Sequence, residues 1–404
     1  MRRIHLIDEE RESEIMIMEI NAYSTLTEYS EPRVASSPVQ SQGLPHINPT
    51  NSSSDYPAGF ENSQTTESPS TPSEGQNSSD ATENPKQSSN IDYEALNTFS
   101  AHIHELYEYI FFRFNVSAGS GQFPQEALDL LEHLRSTQWH YSFEANASDP
   151  STYRQLLQWS AQNNAVLLME DGMFINPTGQ PLLPTPSVTT LGRPPIIDSA
   201  QERFTTIQQQ IRDNIGVDIP NTFTPVHAPE ELAIKPAEDI QLRAIALCMV
   251  ADYADSVLRG DSIDPSLMEE TSPEGFAART KEEKKLFETA DPGLAEKLSW
   301  RSEAVGALTW ALGRYELPSA FTGEPTNGAA AFPTALDIDE TPTVRDIDEL
   351  LDAQQTYRSL MAAARRGMVR GTNFDPNSGI ERLWALNWLL DGHTLEWDTT
   401  DVSV

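Results

Sequence analysis

From residue 93 onward apolar side chains recur at steps of three and four, the spacing of one face of an α-helix. Leu96, Phe99, Ile103, Leu106, Ile110 and Phe114 trace a first helix over 93–115. Ala127, Leu128, Leu131 and Leu134 trace a second, opened by Pro124. The period then shortens to two over 139–143, which predicts a strand. A third helix over 151–162 leads into two short apolar runs, Ala165-Val166-Leu167-Leu168-Met169 and Met173-Phe174-Ile175. Asp171-Gly172 lies between them and predicts a β-hairpin. Asn176-Pro177-Thr178-Gly179 predicts a further turn.

Beyond a proline-rich run over 181–195 the helical period dominates. Helices are predicted over 200–215, over 236–259 with Pro236 as first residue, over 300–315, and over 343–366 with Gly367 closing it. Thr280-Lys281-Glu282-Glu283 and Ser378-Gly379-Ile380-Glu381 read as capping boxes, and the second opens a helix that ends at Asp391-Gly392. The expected fold is mainly α. A helical domain over 199–404 follows a small α+β unit with a β-hairpin over 91–185, and a linker over 186–198 joins them.

The first ninety residues break the pattern. Over 48–90, 27 of 43 residues are Ser, Thr, Asn or Pro, too few apolar groups to offset the entropy of ordering them. The expectation is a disordered acidic tail over 1–90, dispensable for folding. Ile15-Met16-Ile17-Met18 is an apolar island within it, suited to an added edge strand or to sequence ahead of the functional start, since Met16 and Met18 can each initiate. The opening Met1-Arg2-Arg3 is followed by too short an apolar stretch for an export signal.

Charge narrows the function classes. The 404 residues hold 27 Lys and Arg against 61 Asp and Glu, a net charge of −34. Nucleic acid and anionic membranes both require a cationic footprint, so neither is an expected partner. One cysteine, Cys248, excludes an internal disulfide, and no apolar run is long enough to span a bilayer. A cytoplasmic location is expected. Acidic residues outnumber basic ones 36 to 18 over 196–404 alone, as suits a surface for a basic protein partner.

Strong catalytic signatures are absent, and no cofactor is expected: there is no nucleophile elbow, phosphate loop, dinucleotide fingerprint or zincin helix. His102 and His104, two residues apart on a helix, point about 200° away from each other and cannot share a metal. With Glu105 and Glu108 they read as a solvated face. Cys248 sits among apolar neighbours as a small buried hydrophobe. Asp337-Ile338-Asp339 and Asp346-Ile347-Asp348 lack the spacing of a calcium loop and suit a helix start.

Two tryptophan-rich helices carry charges where apolar groups are expected. Glu303 shares a face with Trp300 and Trp310, and Arg301 aligns with Val305, Leu308 and Leu312. Glu381 shares a face with Trp384 and Trp388, and Arg382 aligns with Leu386 and Leu389. Buried charges must be paired. The structural reading pairs Arg301 and Arg382 with Glu381, Glu303 or the acidic tail at Asp398. The alternative is a small-anion or enzyme site built from the same residues.

Trp300-Arg301-x-Glu303-Ala304, Trp310-Ala311-Leu312-Gly313, Glu381-Arg382-x-x-Ala385-Leu386-Asn387-Trp388-Leu389 and Trp397-Asp398 together resemble an uncharacterised, mainly bacterial family catalogued as a domain of unknown function. Ile215-Gly216-Val217, Arg243-Ala244, Thr280-x-x-Glu283 and Tyr357-Arg358 support the likeness, which covers about 196–401. The family's closing Trp-Asp-Asp-x-x-Thr-Asp is shorter here, as Trp397-Asp398-Thr399-Thr400-Asp401. The resemblance names the domain without assigning an activity; with no catalytic signature and acidity spread over the folded part, the expected function is a non-enzymatic interaction module with an acidic surface.

Overall fold

The computed structural model describes residues 18–30, 32–33, 39–43, 93–117, 124–146, 149–185, 190–336, 342–391 and 396–402. The front unit contains strands β1 (Met18–Ser24), β2 (Gln40–Gly43), β3 (Trp139–Ala145), β4 (Ala165–Met169) and β5 (Phe174–Ile175). They form one antiparallel sheet in the order β2-β3-β1-β4-β5. Helices α1 (Tyr93–Ser117) and α2 (Gln125–Arg135) cover one face, and α3 (Pro150–Gln162) covers the other.

The position of β1 corrects the expectation for the amino terminus. Residues 18–24, expected within a disordered tail, are the central strand of this sheet, and Ile15, Met16 and Ile17 of the apolar island lie outside the described residues. Met18 pairs with Ala145 and Ser24 with Trp139 on one side, while Ile20 pairs with Met169 and Ser24 with Ala165 on the other. Alternation places Tyr23 against α1 and α2, and Ile20 and Ala22 against α3, all fully buried. The sequence conceals this because the pairing partners lie more than a hundred residues away and no local turn announces them. Residues 1–17 and 44–92 lie outside the described residues.

The proline-rich run over 181–195 is also partly packed. Pro181 bridges to Ile175, Leu182 and Leu183 are buried beneath α1 and α2, and Asn176 donates to the carbonyl of Arg193. Two leucines directly after Pro181 have an apolar surface to fill, so the chain stays on the sheet before entering the helical domain.

That domain comprises α4 (Asp198–Ile215), α5 (Ala237–Arg259), α6 (Pro265–Thr271), α7 (Pro273–Ala277), α8 (Lys281–Thr289), α9 (Pro292–Ser299), α10 (Arg301–Ala311), α11 (Gly328–Leu336), α12 (Ile347–Arg365) and α13 (Pro376–Leu390). The buried α5 contacts α9, α10 and α11, and α13 packs between α10 and α12. The capping box at Thr280 forms as expected. The one expected at Ser378 does not. Pro376 fits a first helical turn, so α13 starts earlier, Asp375 caps it, and Ser378 donates to Asp375. Glu381 is thereby released for another partner. Pro236 likewise caps α5 rather than opening it. No helix among the described residues is long and apolar enough to cross a membrane.

The two units are joined through buried Glu231. Its carboxylate accepts from Thr25 Oγ1 at 2.6 Å and Asn164 Nδ2 at 2.9 Å of the front unit, and from the amide of Ala228 at 2.8 Å.

Two expectations follow. Ile20→Ala empties a fully buried site in the central strand and should lower unfolding free energy by about 2–5 kcal/mol, measured by chemical denaturation. Burial holds the imidazoles of His133 and His140 at about 4, well below the ordinary 6.5. The unfolded chain therefore binds more protons than the native one between these values, so this contribution to stability is present above pH 6.5 and lost as pH falls toward 4. Denaturation series across that window should show the decline, and His133→Gln should flatten it.

Candidate functional site

The charged residues singled out from the sequence converge where α10 crosses α13. Arg301 Nη1 donates to Glu381 Oε2 at 2.8 Å, and Arg382 Nε donates to Glu303 Oε2 at 2.9 Å. Two ion pairs thus run in opposite directions across one helix interface. Arg301, Glu303 and Arg382 are each only 2% exposed.

Neighbouring elements complete the coordination. Arg382 Nη1 donates to the Tyr357 hydroxyl of α12 at 3.0 Å and to the Pro318 carbonyl at 3.1 Å. Its Nη2 donates to the Glu324 carbonyl at 2.9 Å and lies 2.8 Å from Glu303. All five guanidinium N–H groups therefore face protein acceptors. Glu303 accepts from the Thr326 amide at 3.0 Å and its hydroxyl at 2.8 Å. Gly306 makes that approach possible: a Cβ there would lie 2.4 Å from Thr326 Oγ1.

Burial, opposed by Arg301, leaves the Glu381 carboxyl above its ordinary range. Burial also raises the Tyr357 hydroxyl, against the pull of Arg382. The Arg382 guanidinium is itself held above its usual range: burial opposes this, but Tyr357 and Glu303 outweigh it.

Around this crossing the closing motif docks. The Trp397 ring lies under two guanidiniums, with Arg243 4.6 Å and Arg301 5.6 Å from its centre, and Arg301 also covers Trp384 at 4.4 Å. Trp384 Nε1 donates to the Trp397 carbonyl at 3.0 Å. Asp398 accepts from the Thr280 side chain, and burial together with Glu283 raises its carboxyl despite Arg243 and Arg301 nearby. Arg243 pairs with Glu283, the carboxylate of the capping box. Sequence reading had both residues among supporting motifs without joining them.

The other candidates fall elsewhere. Cys248 is buried, and burial raises its thiol. His104, Glu105 and Glu108 face solvent as expected, but His102 does not: it bonds the Tyr23 hydroxyl at 3.0 Å and stacks on His140. Residue 102 turns toward the sheet because α1 packs on β1. Asp346 caps α12, and Asp348 pairs with Arg203. Asp337 and Asp339 lie outside the described residues. No group of three or more His, Cys, Asp or Glu among the described residues is placed to hold a metal.

Residues 203–400 carry a domain of unknown function, DUF4272. The polar crossing lies wholly inside it. No curated protein and no solved structure matches the chain.

A feature that the sequence reading missed lies where the front unit meets the DUF4272 domain. A cleft of about 450 Å³ opens between α2 and α12, with Arg135, Arg358, Arg365 and Arg366 along it beside Glu132 and Asp401. Arg358 lies 3.5 Å from Glu132, and Arg135 pairs with Asp401. Positions 358, 365 and 366, spaced seven and eight apart, share a helical face, and that spacing was the available signal.

A double-mutant cycle checks the crossing. Glu303→Gln and Arg382→Met should each destabilise by about 3–5 kcal/mol in chemical denaturation, because each strands a buried charge. The double variant should recover part of that loss, whereas strictly additive losses would mean the two charges are uncoupled.

Proposed function

We propose that the protein is a non-catalytic interaction module of the bacterial cytoplasm that binds a basic protein partner through the outer corner formed by α5, α6 and α7. One observation carries this reading. Over 252–274 Asp252, Asp255, Asp261, Asp264, Glu269, Glu270 and Glu274 are all exposed, against one cation, Arg259.

Set among these carboxylates, Leu258 and Leu267 are 46% and 57% exposed. Their neighbours Val257, Ile263 and Met268 pack into one cluster, so the two leucines flank the same seam between α5 and α6. Burial holds the Asp255 carboxyl above its ordinary range, with Arg259 opposing and Asp252 adding to it. Exposed apolar side chains ringed by acid suit a partner with apolar anchors inside a cationic rim. The single buried thiol is in keeping with a reducing compartment.

The test is capture from lysate by the full chain at low salt and at about 0.5 M, where screening removes most exposed charge attraction. Basic proteins should be retained at low salt and released at high salt. Leu267→Ser combined with Glu270→Lys should lose them. Retention that is insensitive to salt or to this variant, or no basic protein at all, overturns the reading.

A further inference from the structure

We propose that the arginine cleft between α2 and α12 binds a small organic anion, a phosphate or carboxylate carried on an apolar body. The inference is independent of the acidic corner and concerns the opposite charge. In a chain with 27 cations and a net charge of −34, four arginines and no lysine line this one cleft. Guanidinium forks match the oxygens of phosphate and carboxylate in a way that a lysine does not. Against them stand Glu132 and Asp401, so the cleft keeps an excess of two positive charges. The field of the whole molecule repels anions, so this concentration of arginine runs against the chain's own average.

The arginines differ in how far they are already engaged. Arg358 lies beside Glu132, and Arg135 holds Asp401. Arg365 reaches the Val402 carbonyl. Arg366 is exposed and has no carboxylate partner among the described residues; its guanidinium carbon lies 4.2 Å from the centre of the Phe223 ring. Contact with a ring face uses none of the N–H donors of a guanidinium. Asp401 already places a carboxylate on one wall of the cleft, on a short tail held by Asn387 and Arg365. An incoming anion meets the same chemistry beside it.

An inorganic ion would leave the rest of the space unused. The volume of about 450 Å³ falls within the range of organic ligand sites. Leu128 is 45% exposed there, and Leu131, Ala362 and Phe223 continue the apolar wall. The Tyr107 hydroxyl is engaged with the Leu131 carbonyl, which turns its ring toward the cleft wall. Arginines and apolar side chains lining one cleft suit an amphiphilic ligand.

Calorimetric titration of the full chain tests this with four probes: 1-naphthyl phosphate, 1-naphthoate, uncharged 1-naphthol and inorganic phosphate. Either or both naphthyl anions should bind at one site, and the comparison between them separates a phosphate from a carboxylate preference. Naphthol and inorganic phosphate should each bind at least about tenfold more weakly, since each lacks one half of the recognition. Arg366→Glu and Arg365→Glu, both at exposed positions, should lower affinity by about tenfold or more. Arg154→Glu, exposed on α3 away from the cleft, should change nothing, and melting curves verify that all variants fold. Asp401→Asn should tighten binding by removing the internal competitor. Equal binding by the Arg366 and Arg154 variants overturns the proposal, as does no saturable binding of either naphthyl anion up to millimolar concentration.

Discussion

Four charges buried at the crossing of α10 and α13 constrain the rest of the helical domain. Removing an ion from water costs several kcal/mol unless a partner and further hydrogen bonds replace the lost hydration. Arg382 meets that demand only if α12 delivers Tyr357 and the chain after α10 turns back to present the Pro318 and Glu324 carbonyls. Glu303 requires the same segment to bring Thr326 over Gly306. Within that segment Gly323 holds a φ of +68° against the Asn373 carbonyl, a position closed to any side chain. The registers of three helices and one connection are therefore set together.

The scarcity of cations gives each arginine a defined place. Several lie over aromatic rings: Arg243 on Trp397, Arg301 on Trp384, Arg345 on Trp310 and Arg366 on Phe223. A weakly hydrated, planar guanidinium tolerates such surroundings where an ammonium would not. Trp384 and Trp397 thus serve as platforms for the charges that neutralise Glu381 and Glu283. This explains why aromatic and charged residues alternate so closely in the helices after residue 295.

Features with a local cause were legible in the sequence. The Asp171-Gly172 hairpin forms, with Gly172 donating to the Met169 carbonyl, and the helical periods give α1, α3 and α5 nearly at their observed limits. The charged positions on α10 and α13 were legible as a site because a carboxylate or guanidinium on an apolar stripe has to find a partner. Features with a distant cause were hidden. Which carboxylate meets which arginine depends on how two helices cross, and the cleft depends on α2 and α12 meeting from opposite units. The capping box at Ser378 gave way to a nearer competitor, Asp375 ahead of Pro376, which left Glu381 to meet Arg301.

The central place of β1 has a consequence for biosynthesis. This strand is synthesised well before both strands that hydrogen-bond to it. At about 5–20 residues per second, roughly seven to thirty seconds separate the emergence of Ser24 from that of Met169. During that interval Ile20, Ala22 and Tyr23 have no sheet to enter, and an unpaired strand edge is a template for association with other chains. The Ser, Thr, Asn and Pro run over 48–90, which follows β2, is poor in apolar groups and offers these side chains few wrong partners. Closing a sheet across so many residues is a slow step, and the last strand made completes the environment of the first.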